Sequence, residues 1–526
     1  MRHSTRELLR RFLGAAAVAA LVAGAPADAE TSRIDEPFAI QVIDDATGRG
    51  VPLVELQTTA GVVFVTDSAG VVAFDEPGLM NQRVWFGVTS HGYEYPPDGF
   101  GIRGVAFDVS PGRKGTVKIK RRNIAERLYR TTGLGIYRDS VLVGRTPPTK
   151  QPLVNAKVMG SDSVQNAIYH GRLWWFWGDT NRPAYPLGNF HMPGATSRLP
   201  ADGGLDPAVG VNLEYFTAAD GFAKETSRMP SDGPTWLDGV TVLADPDGRE
   251  RLFAAFAKIR PPLTTYRRGI CEWNDEKEKF EQVIDYGPDQ PLMPFGHTVR
   301  RRAQDGDGPD TAVGTNAAEY VYFGDPFPHV RVRATAEDFA RLHQYEGYTC
   351  LKSGTNPDDA QLDRNADGRL RYAWRRGVPA SAPLEPQLFR SGKLKPDEAL
   401  VRLRDRVSGK PVAPHRGTVN WNDYRRKWIA IFVEQGGTSP LGEVWYAESD
   451  SPMGPWTECV KIVTHEKYSY YNPKHHPYFD QQSGRIIYFE GTYTHTFSGN
   501  AHKTPRYDYN QIMYRVDLAD PRLASP

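Results

Sequence analysis

Apolar residues along this chain recur mostly with a period of two, in short runs broken by Gly, Pro, Asp and Asn, the pattern of many short strands. Between Pro37 and about Arg121 the runs FAIQVID, VPLVELQT, VVFVTDSAGVVAF, RVWFGVTSHGYEY and GTVKIKR predict a β-sandwich of roughly seven strands. A different unit follows. Asp162 opens a strand (SVQNAIY), His170-Gly171 supplies a turn, and Leu173-Trp174-Trp175-Phe176-Trp177 is a second strand, apolar on both faces, that must be covered on both sides. Antiparallel strands return to the edge they left, so Gly178-Asp179-Thr180 is expected beside Asp162.

That hairpin recurs. TWLDGVTVLADPDGRERLFAAFAKI repeats it with Asp238 at its opening, PFGHTVRR and EYVYFGDPF repeat it with His297 and Asp325, and copies run from Arg416 to Glu434 and from Asn472 to Glu490. Five hairpins predict five blades. The expected architecture is all-β: an N-terminal β-sandwich over 34–121, then a five-bladed β-propeller over 146–520, joined by a basic stretch from Lys118 to Arg130. Helix-compatible runs are confined to 337–404, read as an insertion before the fourth blade that forms a wall of the cleft.

Composition narrows the partners. The 526 residues are too many for one ordinary core, and 11% aromatics with 50 Gly and 41 Pro suit a strand-and-turn chain. Lys and Arg total 64 against 63 Asp and Glu, so no electrostatic footprint for nucleic acid or an anionic membrane exists, and a neutral partner fits better. Cys271, Cys350 and Cys459 permit at most one disulfide and have no metal-binding spacing. Residues 1–29 read as an export signal: Arg10-Arg11-Phe12-Leu13, the run AAAVAALVAG and a small-residue cleavage pattern before Glu30. It resembles a bacterial twin-arginine signal without the usual spacer, so Sec export remains an alternative, and a periplasmic or secreted monomer without a membrane anchor is expected.

The blade ending SDSPMGPW, the GSD opening and the WFWGDT ending resemble the five-bladed β-propeller glycoside hydrolases, the arabinanase, β-xylosidase and invertase group, including endo-acting D-arabinan hydrolases. The phrases DATGRGVPLVELQT and TDSAGVVAF resemble transthyretin-like or carboxypeptidase-regulatory-like modules. The first resemblance implies an exported hydrolase of a polysaccharide or oligosaccharide that requires no cofactor. It implies Asp162 as general base and Asp238 as the residue tuning the acid. It also implies a Glu at a later blade opening, where this chain has His415-Arg416-Gly417. Glycoside cleavage needs one carboxylate to activate water or attack and one protonated group for the leaving oxygen. Glu434 or Glu490, taken to end second strands at the same rim, could be that acid, and His415 is a third candidate.

Asp179, Trp177, His297, His415, Arg416 and His476 are the candidate substrate contacts, although Asp179 could equally cap its own turn. The resemblance further implies a structural calcium ion on the axis at His475. Two alternatives stay open: a polysaccharide lyase using His297, Arg416 and His476, and a non-catalytic glycan-binding propeller.

Overall fold

The computed structural model describes residues 36–302, 318–355, 360–501, 503 and 508–524; the expected export signal and the loop over 305–310 lie outside them. The chain is mostly β. Near the N-terminus, Phe38–Asp44, Val71–Phe74, Tyr93–Glu94 and Lys114–Arg121 form one four-stranded sheet, and Glu55–Thr58, Val63–Val65, Gln82–Thr89 and Gly104–Val109 form another. Both contribute to one hydrophobic core that includes Ile40, Val42, Leu56, Phe86 and Val117. In KGTVKIKR the buried Val117 and Ile119 alternate with exposed lysines, because successive side chains on a strand point to opposite faces.

Six further sheets follow: a small one of Gly160–Ser161, Thr180–Arg182 and Tyr185–Asn189, and five larger ones, numbered first to fifth, that each contain one of the hairpins read from the sequence. Their first two strands are Val164–Tyr169 and Arg172–Trp177, then Thr235–Ala244 and Glu250–Arg260, His297–Arg302 and Glu319–Gly324, Pro414–Asn422 and Lys427–Glu434, and Ser469–His475 and Ile486–Thr494. Both residues of the His170-Gly171 turn have positive φ (49° and 69°), the conformation that matches a two-residue hairpin to the twist of its strands. Trp175, Phe176 and Trp177 are fully buried, as an all-apolar strand requires.

The first strands of successive sheets pack against one another from the first sheet to the fifth. The ring closes through the Ser163 amide, which donates to Thr492 Oγ1 at 2.9 Å, and Asn472 Nδ2, which donates to Ser163 Oγ at 2.5 Å. Gln511 ties the same seam by donating to the Ser161 carbonyl and to Thr492 Oγ1.

Two stretches build more of this ring than the sequence suggested. The stretch read as a basic link supplies Glu126–Arg130, the outer strand of the fifth sheet, paired with Asn510–Asp517. All five of its residues are buried, and Glu126 meets Arg515 at 2.6 Å, so a polar-looking segment is held by an ion pair inside the fold. The segment 337–404 carries the short helix Glu385–Arg390, yet it also adds Glu346–Thr349 and Ala373–Arg376 to the third sheet and Val401–Asp405, in parallel, to the fourth. A helix, Arg138–Leu142, lies outside that segment. The three cysteines are free and buried.

Candidate functional site: a split acid cluster on the rim of the ring

Where the inner strands begin, the backbone repeatedly departs from a regular ladder. Ser163, Gly239, Gly296 and Asn472 all have positive φ, and pairing shifts register between Asp238 and Thr241, between Pro414 and Gly417, and between Tyr471 and Lys474. Such bulges re-aim neighbouring side chains. Asp162, Asp238 and Tyr471 each precede one of these residues. Gly178 is forced by proximity: its amide donates to the Asp162 carbonyl at 2.8 Å, and a Cβ there would stand 1.7 Å from Asp162 Oδ1.

The result is a cluster of acids in two halves. In the first, Asp162 lies beside Asp179, whose carbonyl accepts from the Asp162 amide at 3.2 Å. Tyr471 donates its hydroxyl to Asp162 Oδ2 at 3.0 Å, Tyr509 also bonds Asp162, and Trp236 Nε1 donates to Asp179 Oδ1 at 3.2 Å. In the second half Arg416 bridges two acids, with Nε 3.3 Å from Asp325 Oδ2 and Nη1 3.7 Å from Asp238 Oδ1, while the Gly417 amide donates to Asp325 Oδ1 at 3.2 Å. None of Asp162, Asp238, Asp325 and Arg416 is fully enclosed, so a solute can reach them.

The halves differ electrostatically. Burial and the neighbouring Asp179 charge push the Asp162 carboxyl well above its ordinary range, against the opposing pull of the two tyrosine hydroxyls. Asp179 is raised by burial, and among the described residues no cation forms an ion pair with Asp162 or Asp179, Arg416 acting on Asp162 only at longer range. Burial also raises Asp238 and Asp325, the latter to about 6, but there Arg416 favours the ionised forms. Two carboxyls without a cation retain a proton more readily than two sharing a guanidinium.

The remaining sequence candidates fall elsewhere. Glu490 was expected to end its strand at the rim, but that strand runs to Thr494, so Glu490 sits mid-strand opposite Lys474. It is 0% exposed, His476 Nε2 stands 3.3 Å from it, and neither oxygen has a hydrogen-bond partner. Glu434 does end its strand, but its carboxylate turns along the fourth sheet to accept from Trp445 Nε1 at 2.9 Å. Trp177 is fully buried, stacked on Trp175 with ring centres 6.0 Å apart, and cannot touch a substrate. His476 is enclosed, with Nδ1 against Asn166 and Tyr478. His415 follows Pro414 in the chain and precedes the clamp residue Arg416; its Nδ1 is buried without a partner, and burial lowers its basicity. His297 lies beneath the rim, its Nδ1 3.0 Å from Lys474 Nζ.

His475 does not suit a calcium ion: its ring nitrogens already meet Asp480 at 2.9 Å and Asn420 at 3.2 Å, whereas calcium takes a shell of oxygens. Among the described residues no group of three or more His, Cys, Asp or Glu could hold a metal.

Three contributors were not singled out as site residues. Asp325 follows Tyr-Val-Tyr-Phe-Gly just as Asp179 follows Trp-Phe-Trp-Gly, so the repeat that gave the blades also carried this signal. Tyr509 gave none, since only the return of a distant strand brings it to Asp162. Phe497, 50% exposed, stands edge-on to Tyr471 at 5.6 Å and offers an aromatic face beside the acids.

No protein-family model and no curated protein matches the chain. Solved structures similar to it include an exo-β-1,3-galactanase from Phanerochaete chrysosporium with galactose (8% identity, TM-score 0.35, covering 75% of this chain and 65% of that one). They also include a GH43_1 enzyme from Xanthomonas citri complexed with xylotriose (10% identity, TM-score 0.31, 68% and 86%). A third is a GH43 β-1,3-galactosidase with galactodeoxynojirimycin (8%, 0.32, 70% and 93%). The chain thus spans less than two thirds of the first of these. At such identities and TM-scores the likeness carries no argument about chemistry, and what the site can do rests on its own residues.

Proposed function

We propose that the protein is a glycoside hydrolase whose catalytic unit is a five-bladed β-propeller beginning at Glu126–Arg130, with the N-terminal pair of sheets as an accessory β-sandwich. The observation that carries this reading is the division of the accessible acids by Arg416. Glycoside cleavage needs a carboxyl that still holds a proton beside a carboxylate that does not. Asp162, paired with Asp179 and outside the ion pairs of Arg416, is the proton donor to the leaving oxygen. Asp238 and Asp325, held ionised by Arg416, provide the carboxylate that activates water or attacks the anomeric carbon. This exchanges the role that resemblance implied for Asp162 and needs neither Glu434 nor Glu490.

Tyr471 and Tyr509 orient the Asp162 carboxyl, and Phe497 supplies a face on which a sugar ring stacks. A near-neutral protein whose clustered acids are within reach of solvent suits a neutral carbohydrate. Export through the N-terminal signal is part of the same proposal, since polymeric glycans are met outside the cytoplasm. The test is product analysis after incubating the full chain with a panel of plant, algal and mycobacterial glycans. New reducing ends without the absorbance of an unsaturated uronate are expected, and their absence with Asp162→Asn. Unsaturated products would establish a lyase instead, and binding without turnover on every glycan would leave a carbohydrate-binding ring.

A further inference from the structure

A second cavity opens on the same axis from the other end of the inner strands. It is lined by residues that follow the rim groups in each strand: 166–168 after Asp162, 240–242 after Asp238, 418–421 after Arg416, 474 and 475 after Tyr471, and 297–300 in the third sheet. Its volume is about 510 Å³, enough for a monosaccharide or a small anion with its waters. Its lining contains no Asp or Glu, yet includes Lys474, His297, His475 and Arg300.

Lys474 is the unusual member. Its side chain is more than nine-tenths buried, and its ammonium makes one hydrogen bond, to His297 Nδ1 at 3.0 Å, although an ammonium has three donors to place. Arg300 is exposed and pairs with Glu319 and the Val242 carbonyl, and His475 is engaged by Asp480 and Asn420, so Lys474 is the buried cation of this lining that has donors to spare. A buried cation with spare donors at the end of an acid-free cavity is matched by an anion of one charge. Near the mouth, Trp421 is 45% exposed and packs edge-on against Trp428 at 5.7 Å, an aromatic surface of the kind sugars stack on.

We propose that this axial cavity is a binding site for a carboxylate-sized monoanion, held by Lys474, on the side of the ring opposite the acid cluster. The proposal is independent of the hydrolase reading. The anion comes either as a free small carboxylate or as the acidic end of a saccharide, and Trp421 distinguishes them.

Burial pushes the Lys474 ammonium down to about 7, while Glu490 on the adjacent strand opposes that shift. The other charged or titratable groups nearby are His297, on which burial and the neighbouring Lys474, Arg416 and His476 disfavour positive charge, together with His475 and Arg300 on the cavity wall. An anion favours the charged lysine, so its affinity should fall about tenfold for each pH unit above 7, where binding must take up a proton.

Calorimetric titration of the full chain with sodium acetate, sodium glucuronate and glucose tests this. Both anions should bind at pH 6 and more weakly at pH 8, glucose should not bind at this site, and Lys474→Met should abolish the anion signal. Asn420→Trp, which fills the cavity and leaves the lysine in place, should also abolish it and covers the case in which Lys474→Met does not fold. Glucuronate binding more tightly than acetate, with that excess lost in Trp421→Ala, identifies an acidic saccharide; equal affinities unaffected by Trp421→Ala identify a free anion. Absence of anion binding at pH 6, or binding unchanged by both cavity variants, overturns the proposal.

Discussion

Two groups of carboxylates lie within the same ring of strands and have opposite surroundings. At the rim, Asp162, Asp179, Asp238 and Asp325 are reached by solvent and are divided by one guanidinium. In the seam between the fifth and first sheets, Glu490 is fully buried beside a core that includes Tyr129 and Tyr488, with His476 at 3.3 Å and Lys474 opposite it on the neighbouring strand. Both are buried acids on inner hairpins, yet only the rim group combines access, proton asymmetry and neighbouring donors. Desolvation alone therefore does not make a catalytic carboxyl; the residue must also stand where a bulge or strand end turns it towards open space.

Four experiments break or sharpen that contrast. The largest effect is expected from Asp162→Asn, which should lower kcat on a confirmed substrate by roughly 10²–10⁴-fold with little loss of stability, because it removes the proton donor of the reaction. If Asp162→Asn turned over normally while Glu490→Gln did not, the contrast would be reversed.

Arg416→Met comes next. Without the guanidinium, Asp238 and Asp325 should lose their proton at higher pH, by roughly 1–3 units for loss of an adjacent opposite charge. In the unaltered protein the pH–rate profile should be bell-shaped, rising through about 6 as Asp325 ionises and falling at higher pH as the Asp162–Asp179 pair gives up its proton. The variant's rising limb should move up, whereas a merely structural arginine would lower the rate without moving it.

Glu490→Gln should act on stability, by about 1–3 kcal/mol, since it withdraws the anion near buried His476 and Lys474, and thermal unfolding would measure it. Its kcat at saturation should hold. The smallest effect concerns Asp325. Its folded-state value of about 6 lies above the ~3.9 of an unfolded chain, so the folded state binds the extra proton between them. Stability from this group is present below about pH 4 and lost as pH rises through 6; Asp325→Asn should flatten that slope in denaturant titrations across the window.

Much of the scaffold was legible in the chain. The His170-Gly171 turn, the apolar Trp-rich strand and the five hairpin openings follow from side-chain alternation and turn chemistry, which act over a few residues. The same local logic placed Asp179 beside Asp162. It failed for Glu490 because the fifth hairpin's second strand continues four residues beyond it, through Gly491-Thr492-Tyr493-Thr494, and nothing local marks where a buried strand stops. It failed for Glu434 because position at a strand end does not fix which way a long side chain turns, and Trp445 offered a partner along the sheet.

By itself, then, the sequence determined the period-two strands, the repeat, and the acids at hairpin openings, all consequences of the pleat and of turn conformations that a few residues impose. Tertiary structure decided what those acids became. The closure of the fifth sheet by Glu126–Arg130, the return of Tyr509 to Asp162 and the seating of Arg416 between Asp238 and Asp325 join positions far apart in the chain. Their electrostatic consequences depend on distance and burial in space, quantities that no local pattern of residues encodes.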